Sequence, residues 1–143
     1  MSVLADIQKR CDSIEECYEF MLAYAAQGIT DDRLSRSGGQ LRELLAAAVA
    51  AAAGLPEAYS SLLKARNVTT SPEYQDFLTV LRADTVRALA AMRLVRAQPR
   101  ISSQLIDNLN ASLHIRTLLT DVFLLDEILQ LQQPPAEDKT TLR

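Results

Sequence analysis

One histidine, no tryptophan and four glycines in 143 residues leave little room for most catalytic chemistry. A dimetal carboxylate centre in a helical bundle uses Glu-x-x-His pairs, because side chains three apart point inward from successive turns. His114 is alone, and Ala111 stands three positions before it. Its neighbours also lack the Lys and Gly of a phosphotransfer histidine. A single-metal set of Glu16, Cys17 and His114 has no ligand-spacing motif behind it. Haem ligation by Met21 and His114 would have to bridge heights about 10 Å apart when the helices are laid side by side, with no C-x-x-C-H run to attach the group. No strand-turn-helix context supports a nucleophile triad. Ser37-Gly38-Gly39 has neither the length nor the lysine of a phosphate loop. The sequence therefore calls for no cofactor and no metal.

Other shortages bound the setting. Cys11 and Cys17 fall on one helical segment, about 9 Å apart in rise and about 120° apart in azimuth, so they do not pair with each other. Without a disulfide framework, and with the charged start MSVLADIQKR, a reducing cytoplasm is the expected compartment. The 18 acidic and 15 basic residues are spread along the chain. No basic block offers the field that nucleic acid or an anionic membrane needs. The longest apolar run, 44–55, falls short of the roughly 20 residues that cross a bilayer, so no membrane span is expected.

What is present is helical periodicity. Ile7, Cys11, Ile14, Tyr18, Met21 and Ala25 alternate spacings of four and three, which predicts a helix over about 3–27 with Gly28 as its stop. Residues 28–37 have no periodicity and read as a loop. A second seam, Leu41, Leu45, Ala48, Ala52, Leu55, Tyr59 and Leu62, predicts a helix over 38–66 whose register runs through Gly54 and Pro56. Pro56 removes a backbone donor and crowds the preceding turn, so that helix should kink there. Ser71, Pro72 and Glu73 form a start signal for a third helix over 72–97. Its arginines 82, 93, 96 and 100 form one stripe, either solvated or facing Glu15, Glu16 and Glu19. The 102–131 segment lacks Gly and Pro and reads as one long fourth helix, ended by Pro134 and Pro135. The polar residues 132–143 read as a disordered tail. The expected fold is all-α: a single-domain, up-down-up-down four-helix bundle over 1–131.

Laid side by side, these helices bring polar interruptions to one height: Glu15, Tyr18, Asp84, Thr85, Ser112, His114 and Arg116. Two readings apply. The group is a buried layer that fixes register, with Arg116 paired to Asp84 or Glu15, or it is a ligand or catalytic site beside the kink. The stronger functional signal lies further on. Leu118, Val122, Phe123, Leu124, Leu125, Ile128, Leu129 and Leu131 cover more of the last helix than one core stripe absorbs. A second copy of the chain is the simplest cover, a helix of another protein the next. The sequence thus points to a non-enzymatic interaction protein, acting as a homodimer.

Overall fold

The computed structural model describes residues 2–131; Met1 and the polar tail 132–143 lie outside the described residues. Among the described residues the fold is all helical: α1 (Val3–Ala25), α2 (Arg36–Ala53), α3 (Leu55–Ala65), α4 (Pro72–Arg96), α5 (Ser103–Ala111) and α6 (His114–Leu131), with a short 3-10 turn at Asp32–Leu34. Each start has a local cause. The Ser2 hydroxyl accepts from the Ala5 N–H, Ser35 from Ser37, and Ser102 from Leu105. These contacts satisfy helix donors that have no partner within the helix. Pro72 opens α4, where its missing N–H removes nothing.

Along α1 the buried residues are Ile7, Cys11, Ile14, Cys17, Met21 and Tyr24. The strict 4-3 alternation put Tyr18 and Ala25 on this seam. The buried set instead repeats one spacing of three, from Ile14 to Cys17, so Cys17 and Tyr24 take the inward positions while Tyr18 and Ala25 pack partly buried at the edge of the stripe. Gly28 ends the excursion with φ +69, a backbone that favours glycine.

Both long segments are interrupted. Pro56 has no N–H for Ala52, whose carbonyl is taken instead by the Gly54 N–H, and α3 begins at Leu55. Arg10 of α1 reaches across and donates from Nη1 to the Ala51 carbonyl (3.1 Å) and the Ala50 carbonyl (3.4 Å). A Cβ on Gly54 would stand 2.4 Å from that same nitrogen. The second interruption corrects the single helix expected over 102–131. Leu113 adopts φ 66, its N–H bonding back to Asn110 and its carbonyl accepting from Thr117, so it ends α5 and begins α6. Ser112 helps by turning its hydroxyl onto the Leu109 carbonyl (2.6 Å), competing with the continuing helix.

Helix contacts run in a ring. α1 and α4 each pack on α2, α3, α5 and α6, but not on each other, and the backbones of α2 and α3 stay apart from those of α5 and α6, with side chains such as Tyr59 reaching across to Asp126. One apolar core fills the ring, with Tyr24, Tyr59, Met21, Met92 and a set of Leu and Ile fully buried. The diagonal placement of α1 and α4 rules out the expected match between the α4 arginines and Glu15, Glu16 and Glu19. Arg82 pairs instead with Glu57 of α3 (3.0 Å). The 36–65 stretch is the one among the described residues long and apolar enough to cross a membrane, and half of its most apolar window is buried inside the fold.

Candidate functional site

The polar residues expected at one height do not form a layer. Ser112 and Arg116 are exposed and His114 is half-buried. The left-handed residue at 113 resets the helical phase, which turns Arg116 outward. Arg116 forms no ion pair among the described residues, so the expected buried pairing with Asp84 or Glu15 is absent. Glu15 and Tyr18 sit partly buried on α1, while Asp84 and the buried Thr85 lie on α4 across the diagonal. Thr85 spends its hydroxyl on the Leu81 carbonyl (2.7 Å). Burial, then the carboxylates of Asp12, Glu19 and Asp126, raise the Glu15 pKa.

Three other polar groups are assembled, and of the expected set only Asp84 takes part in one of them. The first is at the end where the 28–35 loop meets the α4–α5 connection. Asp32, almost fully buried, accepts from Arg42 Nε (2.5 Å) and from the Ile101 N–H (2.6 Å). Arg42 also donates to the carbonyls of Arg96 (3.1 Å) and Gln98 (2.9 Å), closing the end of α4. Gly38 makes this approach possible, since a Cβ there would stand 2.0 Å from the Asp32 carbonyl oxygen. Beside it Ser103 donates to the Tyr24 carbonyl (2.6 Å) and accepts from Ile29, and the Tyr24 hydroxyl donates to Ile101 (2.7 Å).

The second group is a carboxyl pair between α4 and α6. Asp121 is 8% exposed, its Oδ2 is sealed from solvent, and that oxygen has no hydrogen-bond partner among the described residues. Burial, then the hydrogen bond and negative charge of Asp84, push its pKa up to about 7. Arg87 pairs with the outer side of Asp84 (3.1 Å).

The third group joins α1, α3 and α6. The buried Tyr59 hydroxyl donates to Asp126 Oδ1 (2.5 Å), and the Cys11 thiol lies near Tyr59. Burial, then the nearby Asp126 charge, push the Cys11 thiol up to about 12, so it stays a thiol at neutral pH. Asp126 borders a cleft of about 350 Å³ with Leu4, Gln8, Leu62, Arg66, Leu129 and Gln130. Among the described residues, no three His, Cys, Asp or Glu side chains gather as a metal-holding set.

The sequence did carry a signal for two of these groups. Asp121 stands three after Leu118 and four before Leu125, and Asp126 stands four after Val122 and three before Leu129, so both acids lie on or beside the core stripe. Asp32 had no such signal, because its partners come from remote segments.

The apolar residues of α6 divide into two faces. Leu118, Val122, Leu125 and Leu129 are buried in the chain's own core, which corrects their assignment to an intermolecular surface. Phe123 and Leu124 stand out, 48% and 49% exposed, and Ile128 is half-buried. The Leu131 side chain lies outside the described residues. A groove of about 410 Å³ runs on the α1 side of this ridge, lined by Tyr18, Leu22, Leu119 and Phe123 with Glu15, Glu19 and Arg116 at its edges. Another of about 290 Å³ runs on the α4 side, lined by Tyr74, Phe77, Leu124, Leu125 and Ile128.

No known protein family, curated protein or solved structure matches this chain.

Proposed function

We propose that the protein is a non-enzymatic helical interaction protein that pairs with a second copy of itself through the outer face of α6. On this reading the six helices work as an up-down-up-down four-helix bundle with two of its four columns broken, and the unbroken α1 and α4 flank the pairing face. The carrying observation is the Phe123–Leu124 ridge with an apolar groove on each side. Helices pack by laying ridges into grooves, and this face offers both.

Charge argues for a second copy over an unrelated helix. A two-fold axis sets a patch against itself, so the patch must carry both signs. The α1-side groove has Glu15 and Glu19 on one element and, on the other, Arg116, which forms no ion pair among the described residues. A second copy can set its Arg116 against those acids. The two free, buried thiols fit a cytoplasmic protein.

Sedimentation at about 10–100 μM should give a dimer, a range in which a standard-size helical interface is populated. The pair Phe123→Glu and Leu124→Glu should return it to monomer with unchanged helicity, since both side chains point away from the core. A wild-type monomer throughout that range overturns the reading. A dimer untouched by the double substitution moves the interface elsewhere.

A further inference from the structure

The cleft at the C-terminal end of α6 differs in kind from the apolar ridge, because it holds two opposite charges that the described residues leave unmatched. Asp126 and Arg66 both line it, yet they form no ion pair with each other or with any other described residue. Asp126 is fixed in place: Oδ1 takes the Tyr59 hydroxyl, and Tyr59 is itself fully buried. Its Oδ2 makes no hydrogen bond among the described residues and is not sealed from solvent. Arg66 is held by one N–H, which donates from Nη1 to the Leu129 carbonyl (2.9 Å) at the end of α6. A guanidinium has five N–H donors, so most of them stay available. Leu4, Leu62 and Leu129 make the apolar wall between these groups, and Gln8 and Gln130 add amides at the rim.

A half-buried carboxylate and a guanidinium in one cleft, too far apart to pair, are complementary to a small molecule carrying both charges at its own fixed spacing. We propose that this cleft binds a free α-amino acid with an aliphatic side chain, its ammonium on Asp126, its carboxylate on Arg66 and its side chain against Leu4, Leu62 and Leu129. The volume of about 350 Å³ lies at the small end of the range for ligand sites. Burial raises the Asp126 pKa, only partly offset by the Tyr59 hydrogen bond, which is the mark of a carboxylate lacking a cation. An arriving ammonium supplies one. The site is separate from the α6 ridge, so it stands or falls independently of the dimer.

L-Leucine serves as the probe, titrated into the full chain and followed by calorimetry and by the methyl resonances of Leu4, Leu62 and Leu129. Saturable binding is expected. Isoamylamine, which lacks the carboxylate, and 4-methylpentanoate, which lacks the ammonium, should each bind at least roughly tenfold more weakly, the scale of one charge-assisted hydrogen bond. Asp126→Asn should weaken leucine by at least roughly tenfold while its amide oxygen still accepts from Tyr59 and the fold is kept. Leu4→Trp, placed at a partly exposed position on the cleft wall, should block binding without touching the charges. No saturation by about 20 mM leucine overturns the proposal, since that is weaker than any useful site. So does equal affinity for isoamylamine, or a leucine affinity unchanged by both substitutions.

Discussion

Two buried aspartates, Asp32 and Asp121, meet burial in opposite ways. Desolvation raises the pKa of each. At Asp32 the Arg42 guanidinium and the Ile101 N–H outweigh it, and the carboxyl ends below its ordinary value. At Asp121 the nearest polar group is another acid, Asp84, and the pKa rises instead. Both side chains are nearly inaccessible, so depth alone does not decide the charge state; the neighbours do. Asp32 ties remote segments together, whereas Asp121 is held against a second acid between two packed helices.

The largest effect that tests this contrast is at Asp32. Asp32→Ala leaves Arg42 and the Ile101 N–H without their buried partner, and a loss of about 3–5 kcal/mol is expected in urea unfolding at pH 7. A loss below about 1 kcal/mol would mean that the Asp32 network contributes no more than a surface pair. The contribution of Asp32 is present above the ordinary carboxylate pKa and disappears as pH falls through its lowered folded value.

Asp121 should behave in the reverse sense. Below about pH 4 both folded and unfolded chains hold its proton. As pH rises the unfolded chain releases it first, so stability falls up to about pH 7 and then levels off. Asp121→Asn removes that titration and offers Asp84 a permanent N–H donor. A gain of about 1–3 kcal/mol at pH 8, shrinking toward zero near pH 4, is expected from unfolding curves across that range. A variant less stable than wild type at pH 8 would break the comparison.

The smallest effect separates burial from the neighbour's charge. Because desolvation is the larger cause at Asp121, Asp84→Asn should bring its titration, read from the carboxyl carbon resonance, only part of the way back to the ordinary carboxylate range. A full return would make Asp84 the main cause.

The helical class, the Ser71–Pro72 start and the Gly28 stop were legible because each rests on local chemistry. The phase of α1 was not, since Cys17 and Tyr18 are neighbours on the edge of one stripe, both apolar, and periodicity alone does not say which of the two the other helices cover. The break at Leu113 carried no Gly or Pro. Leucine is an unfavourable residue for φ 66, by about 1 kcal/mol, and only the packing of α5 and α6 on α1 and α4 explains why the chain accepts it there. By contrast Asn67, at φ 60, sits where such a residue is expected. That missed break misplaced Arg116 and with it the whole proposed layer. The acids on α6 were overlooked for a different reason: in a segment read as apolar, Asp121 and Asp126 counted as exceptions when their positions put them beside the core.

Arg10 lying over Gly54 has a consequence for how the molecule is assembled. The carbonyls of Ala50 and Ala51 receive their side-chain donor from α1, some 40 residues earlier in the chain. A nascent α2 therefore leaves its last turn frayed in water until α1 has docked. Completion of that turn and the pairing of α1 with α2 then become one step, so a hydrogen-exchange experiment should find the amides flanking the joint opening together with α1 and not as a separate hinge.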